Sequence, residues 1–173
     1  MKILICSLLI VWSGLMAGTL NRNSVGSASD LHIKVIEVAH SGKVSLNILN
    51  ISDKPIRIWK ESNSWGAAHW RVLAVSRGQL TTFFQNPDQG FTKNNPAYDE
   101  IPVGGHLEKT LDLNGINWRG GSGPGKVEFS PGDTVIVVYD VPKIFPFPEA
   151  HETVEASTMG VWYGVAATSV TVQ

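Results

Sequence analysis

Leu31-His32-Ile33-Lys34-Val35-Ile36-Glu37 and, after the turn residues Ser41-Gly42, Val44-Ser45-Leu46-Asn47-Ile48-Leu49 decide the fold class. Apolar side chains at 31, 33 and 35, and again at 44, 46 and 48, recur at every second position. That is the period of a strand with one buried face, not the 3.6 of a helix. The first run, read strictly, puts Glu37 in the apolar phase.

The same logic extends outward. Residues 50–55 are turn residues that break the second strand, and Pro55 presets the exit. Ile56, Ile58 and Trp59 make a short third strand, and residues 60–68 a loop. Residues 70–76 and 79–84 flank Arg77-Gly78, which predicts a hairpin. Residues 85–99 are long and polar with Pro87, Gly90 and Pro96, and read as a loop; loops of that length in a compact domain are often functional. Pro102-Val103-Gly104-Gly105 turns the chain into an alternating run over 107–113.

Residues 127–129 and 134–141 read as strands around the turn Ser130-Pro131-Gly132-Asp133. The apolar, β-branched run 135–139 suits a central strand covered on both faces. Residues 142–148 hold three prolines and are expected outside any sheet. Residues 148–157 alone have helix-like composition. Residues 161–172 close the chain as one or two strands, with Gly164 as a bulge or bend. About eight strands at near-regular spacing predict an all-β chain. The expected architecture is an immunoglobulin- or fibronectin-III-like antiparallel β-sandwich, with a jelly roll or small barrel as the alternative.

Residues 1–18 have the layout of a secretory signal peptide: Lys2, an apolar run from Ile3 to Trp12, then small residues at Ser13, Gly14, Ala17 and Gly18. The run is shorter than the ~20 residues a spanning helix needs and is interrupted by Ser7. The expectation is a secreted or periplasmic protein, with an uncleaved membrane tether as the alternative. Residues 19–30 are expected to be a flexible linker and 31–173 a single domain. The only cysteine, Cys6, precedes that domain, which therefore has no disulfide, no Cys-ligated zinc and no cysteine nucleophile.

Lys2 is the one charge before residue 19. The 14 Lys and Arg therefore become 13 against 15 Asp and Glu, a net of −2, with no block of like charge. Such a surface argues against a nucleic-acid partner and against an electrostatic membrane clamp.

Motifs with catalytic echoes fail on mechanism. Gly120-Gly121-Ser122-Gly123-Pro124-Gly125-Lys126 has phosphate-loop spacing, but Val127 stands where Ser or Thr is needed, and a strand follows in place of a helix. His151-Glu152-Thr153-Val154-Glu155 lacks the second histidine of a zinc enzyme. His32, His40, His69 and His106 have no ligand spacing, and Asp99-Glu100 marks no cleft between paired carboxylates. No cofactor or metal is called for, and the chain is not expected to be an enzyme. Asn50-Ile51-Ser52 meets the glycosylation sequon. Of the tryptophans after residue 18, Trp59, Trp70 and Trp162 read as core. Trp65 and Trp118 read as loop residues able to stack on a sugar or anchor a partner.

Short patches resemble known proteins. Asn50-Ile51-Ser52-Asp53-Lys54-Pro55-Ile56, the segment Trp59-Lys60-Glu61-Ser62-Asn63-Ser64-Trp65-Gly66, Ile101-Pro102-Val103-Gly104-Gly105-His106-Leu107 and Gly160-Val161-Trp162-Tyr163-Gly164 resemble a group of small secreted bacterial Ig-like β-sandwich proteins without assigned activity. The early strands and the proline-glycine turn before Leu107 are more distantly similar to the intracellular proteinase-inhibitor family, also a sandwich. Both resemblances imply a fold and no catalytic residue.

The expected function is an exported, non-catalytic binding module for protein or carbohydrate. It would work through the loops around Trp65, 85–99 and 142–148, with Asn63, Trp65 and Trp118 as binding residues. The alternative is a protease inhibitor presenting an extended loop, at 85–99 or near Lys143. A hydrolase would need a deep pocket at His69 or His106 with nearby carboxylates.

Overall fold

A computed structural model describes residues 30–61, 66, 68–85, 97–120, 126–147 and 152–173. The signal and linker expectations, Asn63, Trp65, most of the 85–99 loop, the glycine-rich 121–125 and His151 lie outside the described residues. Every strand pair is antiparallel. β1 (Leu31–Ala39), β2 (Lys43–Asn50) and β7 (His106–Asp112) form one sheet in the order β1-β2-β7. β4 (Trp70–Ser76), β5 (Gln79–Gln85), β8 (Trp118–Gly120), β9 (Thr134–Val141) and β12 (Gly164–Thr171) form a second in the order β12-β9-β4-β5-β8. Two-stranded pairs are made by β3 (Ile56–Trp59) with β6 (Tyr98–Ile101), and by β10 (Ile144–Phe147) with β11 (Glu152–Glu155).

Neither large sheet closes on itself, so the fold is a β-sandwich and not a barrel. The first two strands share a sheet with β7, and the last two long strands lie together on one side of β4, in the order β12-β9-β4, the partition of an immunoglobulin-type sandwich. One apolar cluster fills the interior. Val44, Leu46, Ile48 and Leu111 come from the first sheet, Trp70, Val72, Val135, Val137 and Tyr139 from the second, and Ile56, Ile58, Trp59 and Ile101 from the β3–β6 pair.

Turn chemistry fixes the registers. Arg77 and Gly78 have φ of 49° and 79°, the two left-handed residues that a two-residue hairpin with the sheet's own twist requires. Gly42 closes the β1–β2 turn at φ 78°. A Cβ there would stand 2.6 Å from the Val127 carbonyl, so the chain packs where only glycine fits.

The β2–β7 and β3–β6 pairings belong to one interrupted ladder. Leu49 faces His106, and beyond the interruption Ile56 faces Ile101. Residues 50–55 therefore oppose the shorter 102–105. The side chain of Asn50, 1% exposed, spans this mismatch. Its Nδ2 donates to the carbonyls of Lys54 (2.7 Å), Ile101 (3.0 Å) and Pro102 (3.2 Å). Its Oδ1 accepts from the Ser52 N–H (2.9 Å) and hydroxyl (2.7 Å). The amide nitrogen of the sequon is thus buried and fully engaged, and the folded domain leaves no room for a glycan on it.

Several sequence expectations are corrected. A bulge at Ile36, between the pairs Val35–Leu46 and Glu37–Ser45, shifts the phase of β1. Val38 packs on the core and Glu37 faces water. β9 is central, but only one face is buried; Ile136, Val138 and Asp140 on the other face are half-buried. Residues 127–129 form no strand. The Val127 N–H donates to Asn114 Oδ1 (2.7 Å), and Phe129 N–H donates to the His40 carbonyl (3.1 Å). A side chain and a turn thus take the groups that a strand would pair. Tyr98–Ile101, the first half of which falls in the expected loop 85–99, is strand β6. Ile144–Phe147 is strand β10 despite Pro146, because in a two-stranded ribbon the N–H it lacks can face away from its partner. Of the segment 148–157, where a helix is expected, the described residues form strand β11 and the start of a single 3-10 turn (Ala156–Met159).

Two outcomes are expected. Asn50→Ala should lower the unfolding free energy by about 2–4 kcal/mol, since it removes at once the partner of three buried or partly buried carbonyls and of the Ser52 N–H and hydroxyl; urea titration measures this, and a loss under about 0.5 kcal/mol would contradict the bridging role. The second concerns Asp133, which accepts the Ser130 N–H at 2.8 Å and closes a turn. That backbone bond, with a second from Ser76, holds its carboxyl below the ordinary aspartate range. Its contribution is full above the ordinary value near pH 4 and is lost as pH falls through the depressed folded value. Asp133→Asn should flatten the acid side of the stability–pH curve; an unchanged slope below about pH 4 would refute it.

Candidate functional site

The strand registers bring three long connections to one end of the five-stranded sheet. Trp70, the first residue of β4, faces Tyr139 near the end of β9, and Arg71 faces Phe84 near the end of β5. The described ends of three connections stand at that end: residues 60–61 and 68–69, residues 85 and 97, and residues 142–147 and 152–163. The β3–β6 pair carries the roots of the first two: Trp59 faces Tyr98, and the Lys60 N–H donates to the Ala97 carbonyl (2.9 Å). β10–β11 is the described part of the third, tied at its base by the Ala156 N–H to the Lys143 carbonyl (2.8 Å).

Beneath these connections lies a stack of rings. Tyr139 sits 4.5 Å from Trp70 and 5.8 Å from Trp162, centroid to centroid, with His69 edge-on at 6.1 Å. Trp59, Trp70, Trp162 and Tyr139 are all buried, as expected for the three tryptophans. Each such aromatic pair contributes roughly 0.5–1.5 kcal/mol beyond its buried area. Burial pushes the Tyr139 phenol well above its ordinary pKa, so it stays neutral at any physiological pH and packs as a core residue. His69 Nδ1 lies 2.9 Å from the Asp140 carbonyl. Gln85, also buried, accepts the Trp70 N–H on Oε1 at 3.3 Å.

One charged pair is drawn into this end. Lys109 of β7 points inward with Leu107 and Leu111; its Nζ pairs with Glu61 and lies 5.5 Å from the Trp70 ring centroid. Both side chains are about three-quarters covered. Glu61 stands two residues past β3, so the pair ties the start of the 60–69 connection to β7. Ion pairs Arg57–Glu100 (2.9 Å) and Lys60–Asp99 (3.2 Å) line the β3–β6 surface. Asp99 and Glu100 are each committed to a cation.

Of the three residues chosen from sequence, Trp118 alone is described. It belongs to strand β8 and not to a loop, faces Gln85, and is half-buried against the core. Asn63 and Trp65 lie outside the described residues. Lys109 was missed, although it occupies the apolar phase of Leu107, Leu111 and Leu113, a visible signal that its side chain enters the sandwich.

Other clefts offer little chemistry. One of about 600 Å³, open to solvent, lies at the opposite end among Ser76, Arg77, Ser130 and Asp133. A smaller one, about 210 Å³, lies on β2 and β7 beside Ile36. Among the described residues no three His, Cys, Asp or Glu side chains are grouped to hold a metal ion, and no helix is long and apolar enough to cross a membrane. No protein-family model matches the chain, and no curated protein or solved structure matches it.

The inward pair is testable. A double-mutant cycle on Lys109→Met and Glu61→Gln should give a coupling of about 1–2 kcal/mol, between exposed and fully buried pairs. Coupling under about 0.3 kcal/mol would show that the pair does not anchor the connection.

Proposed function

We propose that the protein is an exported, non-catalytic β-sandwich that binds a protein partner through the connections at one end of its five-stranded sheet. The observation carrying this reading is that the described roots of the connections 60–69, 86–97 and 142–163 meet at that end. A rigid scaffold presenting several long connections together is the usual arrangement of a binding surface. Lys2 and the apolar run from Ile3 to Trp12 support export. A protein partner is favoured over a carbohydrate because Trp59, Trp70 and Trp162 are spent in the core and Trp118 is half-covered. That leaves few described rings for sugar stacking.

Photo-crosslinking in the producing cell tests the reading. A crosslinkable residue replacing Trp65, Asn95 or Ile144 should capture one common protein, and the same group replacing Gly78 or Pro131 at the far end should capture none. Equal capture from both ends, or none from either, would overturn the proposal. So would glycan-array binding abolished by Trp65→Ala, which would replace protein with carbohydrate. Inhibition of subtilisin-like or trypsin-like proteases by the isolated chain would instead establish the inhibitor reading of the same connections.

A further inference from the structure

Asn114-Gly115 is the one place in the chain where glycine follows asparagine. That pair is chemically labile. The Gly115 nitrogen, once it gives up its proton, attacks Asn114 Cγ; the Cγ–Nδ2 bond breaks and the amide nitrogen leaves as ammonia. Water then opens the resulting succinimide at either carbonyl, which leaves aspartate or isoaspartate. Glycine speeds the attack because no Cβ shields its nitrogen. The native fold engages every group this step uses. Gly115 N–H donates to the Asp112 carbonyl at 2.9 Å. Asn114 Nδ2 donates to the carbonyls of Ser41 (2.8 Å) and Val127 (3.1 Å), and its Oδ1 accepts the Val127 N–H (2.7 Å). That last bond alone would polarise the carboxamide toward attack. Ring closure, however, brings Cγ onto the Gly115 nitrogen and draws the carboxamide away from all three partners.

We propose that Asn114 is a latent deamidation site, shut in the native chain and opened by unfolding, whose product no longer clasps the turns at this end of the sandwich. The side chain is exposed, so hydrogen bonds and not burial protect it. The same bonds make the product incompatible. A carboxylate only accepts, and an oxygen in the place of Nδ2 stands against the Ser41 and Val127 carbonyls with no proton between them. The site has no slack, because a Cβ on Gly42 would lie 2.8 Å from Nδ2. Nor is the loss local. Asn114 joins the β1–β2 turn to the segment leading into β9. Beside it, Leu113 N–H donates to the Gly42 carbonyl and Phe129 N–H to the His40 carbonyl, each at 3.1 Å. Leu113 and Phe129 are both core residues. Isoaspartate adds a backbone carbon and displaces these bonds further. An unfolding episode that lasts long enough for the ring to close therefore leaves a permanent loss of stability. The clasp lies at the end opposite the proposed binding surface, so the two readings are independent.

Peptide mass spectrometry of the full chain aged in mildly alkaline buffer tests this, with and without unfolding guanidinium chloride. A peptide of residues 111–117 serves as the open reference. In guanidinium, conversion at Asn114 should run near the peptide's rate; in the native chain it should be at least ~tenfold slower, since only open molecules react. Gly115→Ala in guanidinium should lose most of the conversion, which assigns it to this pair. Asn114→Asp, the product made directly, should unfold at a lower guanidinium concentration than the wild type, or not fold at all. The rates are read on the wild type, so they decide even where that variant does not fold. Conversion no faster in guanidinium than in the native chain would overturn the proposal. So would an Asn114→Asp variant with the wild-type unfolding midpoint.

Discussion

The buried carboxamide of Asn50 bears on everything at the loop end. An antiparallel ladder tolerates an unequal insertion only if the backbone groups it strands find other partners. Here six residues oppose four, and one side chain supplies donors to three carbonyls on both sides of the break and an acceptor for Ser52. Beyond the break stand β3 and β6, whose far ends root two of the three connections gathered at the candidate site. The position of those roots relative to the five-stranded sheet follows from a hydrogen-bond junction near the middle of the ladder.

The second support of that end is apolar. Trp70, Tyr139 and Trp162 stack beneath the connections, and the Trp162 N–H donates to the Arg57 carbonyl at 2.8 Å. The third connection, as it returns, is thereby fixed to β3. The Lys109–Glu61 pair adds a contact from β7 across the same space. Stack, junction and pair fasten the described roots of the three connections to one base. At the other end His40, Asn114 and Phe129 clasp three turns together through reciprocal hydrogen bonds, which closes the sandwich there.

Where a strand buries one face against its own alternation, sequence was enough: β1, β2, the β4–β5 hairpin, β7 and β12 are legible because period-2 burial writes itself into residue order. Departures occur where a partner decides. Tyr98-Asp99-Glu100-Ile101 is too polar to announce a strand, and it becomes one because β3 offers unpaired groups and Arg57 and Lys60 neutralise its carboxylates. The proline-bearing β10 exists only against β11. Val127 and Phe129 look like strand residues, but Asn114 and His40 claim their backbone first. The bulge at Ile36 reconciles a charged Glu37 with an apolar Val38 in a way that strict alternation cannot express.

The candidate site was legible in its parts and not in its assembly. Long connections and their tryptophans are visible in the chain; their meeting at one end depends on register, which sequence leaves open. Asn50 read as a sequon because Asn-x-Ser is also the pattern of an Asx turn, and only burial distinguishes the two. Its place in the inward phase of β2, after Val44, Leu46 and Ile48, was the available clue. Native-state hydrogen exchange in Asn50→Asp, which keeps the acceptor for Ser52 but removes the donors, tests the junction most directly. The account predicts that amides of Ile56–Trp59 and Tyr98–Ile101 lose protection while those of β4, β9 and β12 keep it. Equal loss across all strands, or unchanged protection at β3 and β6, would contradict it.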